Sequence, residues 1–124
     1  MNAIRPFVSV VDDDESVRES LPDLLKEFGF AVQAFSSAEE FLASDSLGRT
    51  NCLILDIAMP GMSGPELQRE LTRRMHRIPI VFITAHADEA VRPRSLERCV
   101  AQCLLKPFSE SALIEALNAA LGCS

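Results

Sequence analysis

Short, continuous apolar runs recur along this chain, and between them the apolar residues fall at helical spacing. The runs are residues 7–11, 30–35, 52–55, 80–83 and 103–105. A strand with one face in water alternates apolar and polar residues, whereas a strand apolar throughout is covered on both faces. The intervening stretches change period. Val17, Leu21, Leu24, Leu25 and Phe28 lie on one helical stripe, with Gly29 as the stop. Ser36 and Ser37 each have a Glu three residues on, a doubled capping box before Phe41 and Leu42. Residues 45–51 read as polar loop. Ser63 and Glu66 form another capping box, ahead of an apolar stripe of Leu67, Leu71 and Met75. A weaker helix is expected over 91–98, and Ser109 caps a last one with Leu113, Ile114, Leu117, Ala120 and Leu121 inward. Five strands alternating with five helices predict an α/β chain around a parallel sheet. Pro22 falls inside the first helix, where a kink near residues 18–22 is expected.

The length of 124 residues suits a single domain, and a hydrophobic content of 48% suffices for its core. The net charge of −6 disfavours gripping a phosphate backbone through the chain's own field. No apolar stretch is long enough to span a membrane, and the first residues lack a signal peptide's apolar core. Cys52, Cys99, Cys103 and Cys123 include no CxxC pair and have no histidine pair nearby, so neither zinc nor disulfides are favoured. A reduced, cytoplasmic setting suits them.

An open parallel sheet binds ligands at the carboxyl ends of its strands. Asp12 and Asp13 follow the first run, Asp56 the third, Thr84 the fourth and Lys106 the fifth. The second ends without chemistry, at Phe35 and Ser36, which suits a strand at the sheet edge. Two carboxylates ~4 Å apart repel by about 4 kcal/mol at an effective dielectric of roughly 20. A divalent cation removes that conflict, and oxygen-only ligation by few carboxylates suits Mg²⁺. Lys106 then supplies a positive charge, Thr84 a neutral donor, and a carboxylate can act as nucleophile toward phosphorus. Each residue alone has a plainer reading, as a turn acid, a surface lysine or a β-branched strand residue; their convergence on one rim favours a site. Asp14 and Glu15 read instead as first-turn acids of the first helix, with Glu15 near the rim.

The segments VVDDDES, LILDIAMPGMSG, PIVFITAHAD and LLKPF, in this order and spacing, resemble the receiver domain of bacterial two-component response regulators. The resemblance covers essentially the whole chain, residues 1–124, and is closest to receivers of the FixJ-like, LuxR-type regulators. It implies a flavodoxin-like (CheY-like) α/β fold, a five-stranded parallel sheet in the order 2-1-3-4-5 with five helices on both faces. By position, it implies that Asp56 is the phosphoacceptor, Asp13 the direct metal carboxylate, and Asp12 a carboxylate acting through metal-bound water. The backbone carbonyl of Ala58 would be the third protein ligand to Mg²⁺. Thr84 would be the switch hydroxyl and Lys106 the phosphoryl-binding lysine, with a cis peptide between Lys106 and Pro107. The implied function is a cytoplasmic phosphorelay switch that accepts phosphoryl from a sensor histidine kinase and catalyses its own phosphorylation and slow hydrolysis, without being a conventional enzyme. The LuxR-type resemblance favours a C-terminal DNA-binding output domain outside this chain, and a phosphorylation-dependent homodimer remains open. No direct nucleic-acid or membrane contact by this domain is implied.

The sequence departs from the family where Cys103 stands at the place of a switch aromatic, where Cys99 and Val100 stand for Gly–Ala, and at Pro93 near the start of the fourth helix. These departures bear on the usual output route through the fourth helix, fifth strand and fifth helix, and leave the phosphorylation chemistry intact. His86 reads as tuning water access to Asp56 or as merely exposed. The run RRMHR, residues 73–77, reads as a solvated helix end, and Met59 and Met62 as packing or partner contacts. A haloacid-dehalogenase-type phosphatase would place its nucleophile in a D-x-D pattern after the first strand, which VVDDDES lacks. A flavodoxin-like cofactor binder would need a hydroxyl- and glycine-rich phosphate loop there. A degenerate receiver would lack one of Asp56, Thr84 or Lys106.

Overall fold

A computed structural model describes residues 6–57, 59–84, 102–106 and 108–122. In chain order these form β1 (Phe7–Val11), α1 (Glu15–Glu27), β2 (Ala31–Phe35), α2 (Ala38–Leu42), a 3₁₀ turn (Asp45–Gly48), β3 (Cys52–Asp56), α3 (Gly64–Arg73), β4 (Ile80–Thr84), β5 (Gln102–Leu105) and α4 (Glu110–Leu121). The five strands make one sheet in the order β2-β1-β3-β4-β5, and every neighbouring pair is parallel. The expected order and direction hold, and β2 is an edge strand.

Alternation along the strands divides the core in two. Val8, Val10, Cys52, Ile54, Val81 and Ile83 face Leu21 and Leu25 of α1 and Leu113 and Leu117 of α4. Val11, Leu53, Leu55, Ile80 and Phe82 face Phe41 of α2 and Leu67 and Leu71 of α3. Every residue of β3 and β4 is buried, which is why these strands read as unbroken apolar runs. The chain leaves β1 for β2 on one side and returns to β3 on the other. The order therefore reverses between β1 and β3, and the crevice opens at their carboxyl ends.

Capping chemistry fixes where the helices start. Asp14 caps α1 by accepting from the Ser16 N–H. Ser63 and Glu66 form the full reciprocal box at α3, and Ser109 Oγ accepts from Ala112 N–H at α4. Gly29, at φ 92, ends α1: its N–H reaches the Lys26 carbonyl and that of Phe30 reaches Leu25. These are the two bonds of a Schellman motif.

Several expectations change. The doubled capping box resolves into one shared arrangement, in which Ser37 Oγ accepts from Glu40 N–H while the Glu40 carboxylate turns back to Ser36 N–H and Oγ. Ser36 is thus a recipient of the cap, because α2 starts only after Ser37. The segment read as plain loop contains the 3₁₀ turn, started by Ser44 Oγ on Ser46 N–H. Pro22 lies inside α1, which stays continuous over 13 residues, so the kink expected there does not break the helix. On α4, Ala116 joins the buried face while Ile114 and Leu121 are only half-buried. Met75 does not belong to the apolar stripe of α3. It lies past the helix end, at φ 66, with 86% of its surface exposed. The helix expected over 91–98, together with Pro93, Cys99 and Val100, lies outside the described residues.

Candidate functional site

Register places the carboxylates. Val11 of β1 pairs with Leu55 of β3, so Asp12 and Asp56 emerge side by side at the crevice. Asp12 is fully buried and Asp56 is 6% exposed, whereas Asp13 faces solvent. Oxygens of Asp12, Asp13 and Asp56 lie within 4.8 Å of one another, a set that could hold a metal ion. All three are hard carboxylate donors, which suits a hard divalent cation. The predicted trio is therefore brought together.

Lys106 reaches the same place from the end of β5. Its Nζ lies 2.9 Å from Asp12 Oδ2 and 3.9 Å from Asp56 Oδ2, with 18% of its side chain exposed. Burial pulls this ammonium's pKa down, but the hydrogen bond to Asp12 and the charges of Asp12, Asp56 and Asp14 outweigh it, and the net shift is upward from 10.5. The Lys106 N–H donates to the Thr84 carbonyl at 2.7 Å, tying the ends of β4 and β5 together. Thr84 is fully buried, one residue beyond Ile83, which is the register partner of Asp56. Thr84 thus belongs to the same rim. Ala58, His86 and Pro107, and with them the expected carbonyl ligand, histidine and cis peptide, lie outside the described residues. Cys103 is half-buried in β5 and packs against the core that contains Phe82, its register partner.

The structure adds partners that residue type and spacing did not single out. The Asp14 N–H donates to Asp12 Oδ1 at 2.9 Å, so the buried Asp12 is held by a backbone donor on one oxygen and by Lys106 on the other. Asp14's own carboxylate is pulled below the usual range, first by Ser16 Oγ and then by the Ser16 N–H. Glu15 is exposed at the helix start and is not among the clustered carboxylates. Arg18, one turn into α1, donates from Nη1 to the Asp12 carbonyl at 3.0 Å and pins the β1–α1 turn from below. The Asp12 N–H in turn reaches the Phe35 carbonyl at 3.1 Å.

Gly64 has a steric role. Its N–H donates to the Ile57 carbonyl at 3.0 Å, drawing the start of α3 against the end of β3. A Cβ on Gly64 would stand 2.6 Å from the Asp56 carbonyl oxygen and 3.1 Å from Ile57 Cα. Only glycine permits this approach, which explains the last position of the DIAMPGMSG segment. Gly61 of the same loop sits at φ 78, a region that favours glycine.

Comparison with known proteins agrees with this geometry. A family described as "Response regulator receiver domain" matches residues 8–118. Nodulation protein W of Bradyrhizobium diazoefficiens is 42% identical over 116 residues, covering 94% of this chain and 51% of that protein. The transcriptional regulatory protein FixJ of Rhizobium meliloti is 40% identical over 113 residues, 91% of this chain and 55% of that protein. The chain thus spans about half the length of the curated relatives it matches. Among solved structures, the response regulator StyR superposes with a TM-score of 0.87 at 47% identity, over 96% of this chain and 60% of that one. The FixJ-N structure gives 0.83 at 36% identity, over 97% and 96%. The matched family is one of signalling receivers rather than conventional enzymes. Among the described residues, no helix is long and apolar enough to cross a membrane.

Proposed function

Because the chain belongs to the response regulator receiver family, we propose that it is a phosphorelay switch, a single receiver domain over 1–124, with Asp56 as its phosphoacceptor. The observation that carries this reading is the meeting of Asp12, Asp13 and Asp56 within 4.8 Å, with Lys106 reaching between Asp12 and Asp56. Asp12, Asp13, Asp56 and the Ala58 carbonyl would hold Mg²⁺, which when bound supplies charge neutralisation for a phosphoryl group.

An Asp56 carboxylate oxygen attacks the phosphorus of a phosphohistidine on a sensor kinase. The P–O bond forms and the P–N bond breaks, its electron pair staying on the ring nitrogen, and the imidazole leaves neutral because its other nitrogen already carries a proton. Lys106 offsets negative charge on the phosphoryl oxygens, from a position already within 4 Å of Asp56. The Thr84 hydroxyl provides a further donor from the adjacent strand end and serves as the switch. Slow hydrolysis of the aspartyl phosphate by the same residues resets the domain. The setting is cytoplasmic. The phosphorylated state acts on an output domain, by analogy with the relatives named as transcriptional regulators, through a C-terminal DNA-binding region beyond this chain or a phosphorylation-dependent homodimer.

Incubation with an acyl phosphate and Mg²⁺ tests the assignment. The parent chain gains one phosphoryl group, Asp56→Asn gains none, and unchanged labelling of Asp56→Asn would sink it.

A further inference from the structure

The end of α3 carries a cationic patch that the phosphoryl site does not use. Arg73, Arg74, His76 and Arg77 surround Met75 just after the helix. A helix C-terminus favours positive charge, which accounts for one or two of these residues. Two observations go beyond that account.

The first is the backbone of Met75. Gly29 and Met75 close their helices with the same pair of hydrogen bonds. The Met75 N–H reaches the Thr72 carbonyl and that of His76 reaches Leu71, at 3.0 and 2.8 Å. Glycine takes the left-handed conformation of α1's motif without penalty, whereas at α3 a large side chain is held at φ 66 with 86% of its surface in water. An exposed apolar side chain on a strained backbone serves neither the core nor the turn.

The second is the arrangement of the arginines. Glu70 accepts from Arg73 Nε and Nη2 at 3.1 and 2.6 Å, and from Arg74 Nε at 2.7 Å. These bonds hold the Glu70 carboxyl down at about 2. Arg73 is gripped side-on, but Arg74 is gripped through Nε alone. Its two Nη groups, the fork that receives a carboxylate, make no hydrogen bond or ion pair among the described residues, and the side chain is 42% exposed. Glu70 thereby orients Arg74 while the three arginines keep the patch positive.

We infer that this patch docks an acidic protein segment, with Arg74 and Arg77 binding its carboxylates and Met75 packing against an apolar residue between them. Methionine and arginine are both enriched at such interfaces. A nucleic acid suits the patch less well. Three arginines neutralise few phosphates, and a phosphate backbone gives Met75 nothing apolar to cover.

Fluorescence anisotropy at low ionic strength tests this, with a short fluorescein-labelled peptide of leucines separated by pairs of glutamates. The parent chain binds it saturably, and Asp56→Asn binds it equally, which keeps this surface separate from the phosphoryl site. Arg74→Ala with Arg77→Ala weakens binding about tenfold or more. Met75→Gly weakens it several-fold while raising the melting temperature, a pair of changes that a purely structural Met75 would not produce. Absence of saturable binding, weaker binding by Asp56→Asn, unchanged affinity in the double arginine variant or in Met75→Gly, or tighter binding of a duplex DNA of equal charge would overturn the inference.

Discussion

Near the start of β3, the polar groups beside the core are closed on one another. Thr50 Oγ1 donates to the Ser46 carbonyl at 2.6 Å, so its proton is committed and Ser9 Oγ must be the donor in the 2.7 Å bond between the two hydroxyls. Asn51 Oδ1 accepts from the Phe7 N–H beside them, at 2.7 Å. Ser9, Ser46 and Thr50 are all buried, and the Ser9 and Thr50 hydroxyls both find partners within the chain. At the carboxyl end of the same strands the outcome differs. Three carboxylates converge there, and Lys106 is the cation paired with them among the described residues. Neutral polar groups can be satisfied by short-range geometry alone. Like charges cannot, because their repulsion persists until a matching charge arrives. One end of the sheet pairs neutral groups with each other, and the other, among the described residues, sets three carboxylates against one ammonium.

The largest effect that sharpens this contrast comes from Lys106→Met. Removing the ammonium leaves the carboxylate of the fully buried Asp12, among the described residues, with the Asp14 N–H as its donor. Without divalent cation we expect a loss of about 2–4 kcal/mol at neutral pH, below the full cost of breaking a buried pair because Lys106 keeps part of its side chain in water. Urea denaturation measures it, and Mg²⁺ should recover much of the loss. The pH dependence follows in sign. Because the folded-state pKa of Lys106 lies above 10.5, its contribution is fully present below that value and fades as pH rises through the raised one. That alkaline loss should vanish in the variant.

Gly64→Ala comes next. Its Cβ would meet backbone atoms rather than a flexible side chain, so α3 must move away from β3, at a cost of about 1–3 kcal/mol. Because the Asp56 carbonyl is the nearest atom, acyl-phosphate labelling should also slow; a variant of parental stability and labelling rate would remove Gly64 from the site. Thr50→Val tests the other end. It leaves the buried Ser9 hydroxyl without its partner and removes one of two bonds to the Ser46 carbonyl, which keeps the Arg49 N–H, at a cost of about 1–2 kcal/mol in thermal melts. It should not alter the response to Mg²⁺, and an altered response would mean that the two ends are not independent.

The sequence was legible where one physical rule acted alone. Leu53, Ile54 and Leu55 announced a strand covered on both faces. Asp12, Asp13, Asp56, Thr84 and Lys106 stood where a parallel sheet presents its ligands. Other features depend on contacts distant in the chain. Arg18 meets the Asp12 carbonyl only because α1 rises directly from β1, and no spacing marks that arginine among its neighbours. The Asp14 N–H belongs to the site through its backbone, which residue type does not reveal. Ser9, inside an apolar run, gave no hint of Thr50, 41 residues away. Met75 misled because it continued the helical period one step beyond the residue where the helix ends. Periodicity describes a face; it does not locate the terminus, where hydrogen bonds of the Schellman motif take over.

The proposed role of the clustered carboxylates at the carboxyl end is to hold a divalent cation. Thermal unfolding with increasing Mg²⁺ tests it most directly. A cation that binds only the folded chain adds roughly 1.4 kcal/mol at ~10 times its dissociation constant, a shift of a few degrees. We expect this rise in the parent chain and in Thr50→Val, and its near-complete loss in Asp13→Ala. A parent melting temperature indifferent to Mg²⁺, or a full rise in Asp13→Ala, would contradict it.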